Sequence, residues 1–225
     1  ASPAPALLEP TQVSESDNPR LHTMKMTILA LLIALVSTTA FAQKPLPTKV
    51  KLSPVPVKAG VVTLAPANTR IDFVGTHEGP KPDPRLGGFA TFKGKAEVTD
   101  NVITSIALDI DTASLWTEIP KLTAHLKNSD FFDVGEHPKA TFRSTSIRPT
   151  KIAGNVDITG DFTLLGKTCE VKIPATVMVT SDGVTLLSKF TIDRKQFGMD
   201  YGQGKVKNDV ALTVAIGRPS TRAAK

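Results

Sequence analysis

Thr168 to Asp193 reads TCEVKIPATVMVTSDGVTLLSKFTID, and its alternation decides the fold class. Cys169, Val171 and Ile173 share one parity, which Ala175, Val177 and Val179 continue past Pro174. A period of two marks a strand with one face turned inward. Asp182-Gly183 is a two-residue hairpin signal, because both central positions of a type I′ turn take positive φ. The return run Val184 to Asp193 carries Phe190 and Ile192.

The same texture extends in both directions. Thr69 to Gly75 sets Ile71 and Phe73 against Arg70 and Asp72, and Phe92, Ala96 and Val98 share a face if the chain bends at Gly94. After a turn at Asp100-Asn101, Ile106, Leu108 and Ile110 line one side of Val102 to Asp111. Ala140 to Ile147 alternates and is expected to stop at Arg148, before the breaker Pro149. Lys151 to Ile158 is expected to end at Gly160 and Asp161 to Leu165 at Gly166, while Val210 to Ile216 alternates to the end. This makes about eight antiparallel strands, which hide their edges by closing into a barrel or by stacking as two sheets; periodicity leaves both open. One segment departs from the rhythm. Leu115, Ile119, Leu122 and Leu126 form a helical stripe, and Thr117, Glu118 and Pro120 suit a capped first turn, so a helix of about ten residues is expected there, ending at Asn128-Ser129.

The N-terminal region has a different character. Leu21 to Gln43, LHTMKMTILALLIALVSTTAFAQ, has a lone Lys25, a short apolar run and a small-residue cleavage motif at Ala40-Phe41-Ala42. It reads as a signal peptide cleaved near Ala42, with translation starting at Met24 or Met26 and residues 1–23 an upstream extension; the alternative is a membrane anchor with a short tail. Residues 43–60 are expected to form a Pro- and Lys-rich linker, residues 61–218 the domain and residues 219–225 a basic tail. Localisation follows as periplasmic or secreted.

With 27 basic and 21 acidic residues, the net charge of +6 is moderate and concentrated at the ends. That suits transient contact with an anionic membrane surface, not a nucleic-acid groove, which needs clustered charge beside exposed aromatics. Cys169 is the single cysteine, so no internal disulfide forms and a hydrophobic core has to carry stability. Its parity makes it an inward-facing small hydrophobe rather than a catalytic thiol.

Three separated motifs then stand out in order: Leu122 to Phe142, LTAHLKNSDFFDVGEHPKATF; Gly160 to Lys167, GDFTLLGK; and Arg194 to Met199, RKQFGM. Together they resemble the YceI-like family of bacterial secreted proteins, over about Thr63 to Gly217. The resemblance implies an all-β, lipocalin-like antiparallel β-barrel of about eight strands with one short helix. It also implies an apolar cavity that binds, sequesters or transports an isoprenoid lipid, such as a polyprenyl chain or a quinone, without catalysis. Two departures touch the rim: a Pro-rich insertion from Gly75 to Gly88, and Thr123 where many members carry an Asp.

Under this resemblance the cavity wall comprises Phe73, Phe92, Ile106, Leu108, Phe142, Phe162, Leu164, Val177, Phe190 and Val214. Burying a long apolar chain needs little beyond shape and apolar lining, at roughly 25 cal/mol per Å². Trp116, His125, Leu126, Phe131, Phe132 and Arg143 are the mouth and head-group candidates. Phe131-Phe132 gates entry or anchors the helix. His125, assisted by Arg143, contacts a head group or, with Asp133, ties helix to loop. Tyr201 is a weaker rim candidate. His77, His125 and His137 with Asp130, Asp133 and Glu136 match no compact metal motif, and no metal or cofactor is assigned. Competing expectations are an enzyme acting on a small apolar substrate in the same cavity, and a structural or interaction domain with a filled core. Homodimerisation is unsupported by the sequence.

Overall fold

The structure, a computed structural model, describes residues 51–220. The expected signal peptide, the upstream extension, residues 43–50 of the linker and the tail from residue 221 lie outside the described residues.

Among the described residues eleven strands make one antiparallel sheet: β1 (Val61–Leu64), β2 (Thr69–His77), β3 (Asp83–Phe89), β4 (Phe92–Thr99), β5 (Val102–Asp111), β6 (Leu115–Thr117), β7 (Lys139–Pro149), β8 (Asn155–Leu164), β9 (Lys167–Thr180), β10 (Gly183–Asp193) and β11 (Asp209–Ile216). The single α-helix among the described residues, α1, is Pro120–Leu126. The ladder runs β1-β4-β5-β7-β8-β9-β10-β11-β2-β3-β6. The sheet curls into a half-barrel rather than the closed eight-stranded barrel expected. Two bends explain the difference. Ala90-Thr91 separates β3 from β4, and a 3₁₀ turn at Thr112–Ser114 separates β5 from β6. As a result β3 bonds to β2 and β6, while β4 bonds to β1 and β5. The bends are tied together by hydrogen bonds from Ala90 N to Ser114 O and from Asp111 N to Thr91 O.

Local chemistry accounts for the turns. Asp100 and Asn101 have φ of 51° and 61°, and Leu165 and Gly166 have 52° and 71°, the paired left-handed residues of tight hairpins. The β9–β10 hairpin differs from expectation. Thr180 pairs with Gly183, so its turn residues are Ser181 and Asp182. Gly183 instead has φ 134° and lies where a Cβ would strike the Val55 carbonyl. That close approach corrects the linker expectation: Val55 and Val184 exchange two hydrogen bonds of 2.9 Å, Val55 is buried, and Ser53 N donates to Gly217 O at 2.8 Å. An extended Pro-rich segment still has N–H groups between its prolines, and here they pair with the sheet.

Three further expectations shift. β3 emerges from the segment read as a Pro-rich insertion, leaving residues 78–82 as the loop between β2 and β3. β7 includes Pro149, and β8 starts at Asn155 and passes straight through Gly160. Gly160 marks a close approach, not a stop: a Cβ there would lie 2.6 Å from the Phe142 ring and from the Arg143 carbonyl. Gly160→Val is therefore expected to cost about 2 kcal/mol by overpacking, read as a lower urea midpoint at unchanged slope.

Inward parity matches the buried set. Ile71 and Phe73, Ile106, Leu108 and Ile110, Ala140 and Phe142, and Val171, Ile173 and Ala175 all belong to one core cluster. Cys169, half-buried, packs against it. On the opposite face of β2, Arg70 and Asp72 form an ion pair that is itself largely covered. Burial pushes the Asp72 carboxyl above its ordinary value of 3.8, against the pull of Arg70 and Arg218. The folded protein thus holds this proton more tightly than the unfolded chain, and stability falls as pH rises from about 3.8 through the raised folded value. Asp72→Asn is expected to flatten that part of the stability profile, checked by urea midpoints between pH 3.5 and 7.

Candidate functional site

α1 begins with Pro120 at its first turn, where a missing N–H costs nothing, and Leu122, His125 and Leu126 reach the interior from it. It is shorter than expected because Leu115–Thr117 is a strand, and Thr117 does not cap it: Ile119 precedes the helix with no side-chain cap. Instead the Thr117 and Thr123 hydroxyls meet at 2.9 Å, and Thr123 Oγ1 accepts from Thr117 N at 2.8 Å, fastening α1 to β6.

A tight loop follows. Phe131 N donates to Asn128 O and Phe132 N to Leu126 O, both at 3.0 Å, and Asp133 takes a positive φ of 40°. Both phenylalanines face the interior but join different aromatic groups. Phe132 packs with Phe73 and Phe89, with ring centroids 6.3 and 5.9 Å apart. Phe131 meets His125 and Tyr201 edge-on at 5.2 Å each, and His125 meets Tyr201 at 5.3 Å. His125 Nε2 lies 3.0 Å from Asp130, not Asp133, so helix and loop are tied through a different acid from the one expected.

The opposite rim is built by Arg194, which has almost no exposed surface. Its guanidinium donates to the carbonyls of Met199 at 2.6 Å, Tyr201 at 2.7 Å, Val206 at 3.3 Å and Lys207 at 3.1 Å. One buried cation thereby organises the segment 199–207, its charge met by carbonyl dipoles. Phe197, fully buried three residues on, stacks edge-on against Phe162 at 5.2 Å, and Gly198 supplies φ 84° for the exit. These contacts explain the spacing within RKQFGM.

Between these rims lies a cavity of about 270 Å³ lined by Phe73, Phe89, Ile110, Ala140, Phe162, Leu164, Leu212 and Met199, among others. Its mouth carries His77, Arg85, His125, Tyr201 and Lys205. A second hollow of about 80 Å³ is walled by Ile106, Leu108, Phe142, Phe190 and Val214. Both are almost wholly apolar, so shape and desolvation dominate what they hold.

Of the ten wall candidates, Phe73, Phe162 and Leu164 line the larger cavity, and Ile106, Leu108, Phe142, Phe162, Phe190 and Val214 the smaller. Phe92 is buried and paired with Ile110 but lines neither, and Val177 also lines neither. At the mouth His125, Leu126, Phe131 and Phe132 come together. Trp116 does not join them: it belongs to a strand, where it points opposite to the lining residue Thr117 and sits against Gly88. Arg143 also lies elsewhere, donating to Leu108 O at 2.6 Å and pairing with Asp109. Sequence reasoning passed over Ala140, Leu212, Arg194 and Arg85. The first two share parity with chosen neighbours and were findable; the arginines are placed by turns and hairpins that alternation does not encode.

Fold and site together define a curled antiparallel sheet around an apolar hollow whose mouth is polar and aromatic. The chain belongs to the YceI-like family, whose domain matches residues 63–217. UPF0312 protein ECA1782 of Pectobacterium atrosepticum is 32% identical over 117 residues, 49% of this chain and 60% of that protein. UPF0312 protein PC1_2518 of Pectobacterium carotovorum subsp. carotovorum is 31% identical over 135 residues, 57% of this chain and 67% of that protein. A UPF0312 protein of Ectopseudomonas mendocina is 37% identical over 91 residues, 40% and 47% respectively, so the match spans roughly half of such relatives. Among solved structures, Burkholderia cenocepacia BcnA superposes with TM-score 0.59 at 23% identity, covering 66% of this chain and 94% of BcnA. A polyisoprenoid binding domain from Saccharophagus degradans gives 0.57 at 14% identity, covering 71% and 97%. At these identities the likeness establishes the fold.

Proposed function

We propose that this domain binds an isoprenoid lipid in its apolar hollow and carries or sequesters it in the periplasm or outside the cell, after export with cleavage near Ala42. The observation that carries this is the 270 Å³ apolar cavity behind a polar, aromatic mouth. An unsaturated, methyl-branched tail needs only such a lining, while a head group needs donors at the exit, which Arg85, His125, Tyr201 and Lys205 offer. The role is binding, with no chemical step and no cofactor. Similarity in fold to a domain described as polyisoprenoid-binding supports the same ligand class.

The test is organic extraction and mass spectrometry of protein purified from its native envelope. Co-purifying prenyl species in near-stoichiometric amount are the expected result. Empty preparations that also fail to take up added prenols end the proposal.

A further inference from the structure

The sheet has two ends, marked by the same three strands. At one, His77 of β2, Ile192 of β10 and Val210 of β11 line the mouth. At the other, Thr69, Val184 and Ile216 of those strands are buried, and the segment before β1 is bonded there: Val55 exchanges two hydrogen bonds with Val184, and Ser53 N donates to Gly217 O. Paired backbone shuts that end, so exchange with the outside falls to the mouth. The two sides of the mouth are held differently. Residues 199–207 are fixed, since Arg194 gathers their carbonyls, Glu78 N donates to Lys205 O at 2.7 Å and Lys207 N to Thr76 O at 2.9 Å.

Facing them, residues 124–131 span two attachments. Thr123 is bonded to Thr117 at one end, and Phe132 packs on Phe73 and Phe89 at the other. Between these, α1 has no side-chain cap and none of its residues is buried. Among the described residues no hydrogen bond or ion pair joins this span to residues 199–207, and the link is made of rings. His125 and Phe131 meet Tyr201 edge-on at 5.3 and 5.2 Å, and Asp130 holds His125 Nε2 at 3.0 Å. Phe131 is buried and Tyr201 about half exposed, so the rings cross the rim from inside to outside. Edge-on ring contacts of this kind part without leaving a donor or acceptor unpaired. We propose that residues 124–131 are a lid, latched to Tyr201 through His125 and Phe131, and that an apolar ligand enters and leaves by parting this latch. A lid governs how fast a site exchanges its occupant. It acts on any apolar occupant, so it stands or falls separately from the isoprenoid reading.

The experiment follows uptake and release of N-phenylnaphthylamine, a fluorescent apolar probe, by the full chain in stopped flow. Tyr201→Ala is expected to raise both the association and the dissociation rate by about tenfold or more. Loss of an ordinary binding contact acts on dissociation instead. Tyr201→Phe keeps the ring and is expected to restore the slow rates. The converse locks the lid: in a Cys169→Ser background, His125→Cys and Tyr201→Cys joined by a reductant-cleavable bismaleimide are expected to slow both rates by about tenfold or more until the bridge is cut. This arm decides the matter if Tyr201→Ala does not fold. In folded protein, a Tyr201→Ala that changes dissociation alone, or exchange that ignores the bridge, overturns the latch and places the entrance elsewhere. Failure of the wild-type chain to take up the probe overturns it as well. Probe uptake without prenol uptake removes the isoprenoid reading, and the lid is then judged on the probe rates alone.

Discussion

Ala140→Phe is expected to weaken prenol binding by at least 100-fold while leaving the β-sheet circular dichroism unchanged. Ala140 is buried, pairs with Ile110 across β5 and β7, and lines the cavity of about 270 Å³. The added phenyl ring takes up the space of a benzene, about 150 Å³, more than half of that cavity. Displacing some six ligand carbons forfeits up to about 5 kcal/mol at about 0.8 kcal/mol per methylene. Even if repacking recovers nearly half of this, about 3 kcal/mol remains, which is two decades in affinity. Probe displacement measures the loss, and a thermal melt on the same sample reports the fold. Unchanged affinity in a folded variant would mean that ligand binds elsewhere.

Arg194→Met is expected to be the most destabilising single change on the rim, costing about 3–5 kcal/mol. Methionine fills similar space but leaves the carbonyls of Met199, Tyr201, Val206 and Lys207 without their shared donor. Arg194→Lys is expected to rescue little, because an ammonium cannot spread its donors across a planar fork. For a domain of this size the loss corresponds to a fall in melting temperature of roughly 10 °C. Limited proteolysis should show new cleavage within residues 199–207 before global unfolding. A cost under 1 kcal/mol with no new cleavage would show that the segment holds itself together.

Much of the sheet was legible because strand alternation is a local property. Ile106, Leu108 and Ile110 on β5, like Val171 and Ile173 on β9, share one face whatever the rest of the chain does, and that face is buried. The Asp100-Asn101 hairpin was equally readable, since positive φ is a residue preference. Leu115, Ile119, Leu122 and Leu126 misled by mixing two elements. A spacing of four, three and four fits a helix, but Leu115 is fixed by its ladder to Phe89 and Ile119 lies outside the turn. That error carried Trp116 to the wrong side of the wall. Gly160 and Gly183 misled for another reason: each glycine accommodates a neighbour arriving from elsewhere in the fold, Phe142 or Val55.

By itself the sequence determined an all-antiparallel architecture, the parity of its walls and the motifs that place it in its family. All of these depend on residues a few positions apart. Only the tertiary structure decided that the sheet curls without closing into eight strands, and which inward side chains border empty space. A hollow is set by the distance between facing walls, and the same Phe, Leu and Ile that line it at one separation fill it at another. Here the bends at Ala90-Thr91 and Thr112–Ser114, α1, and the Arg194-bound segment set that separation.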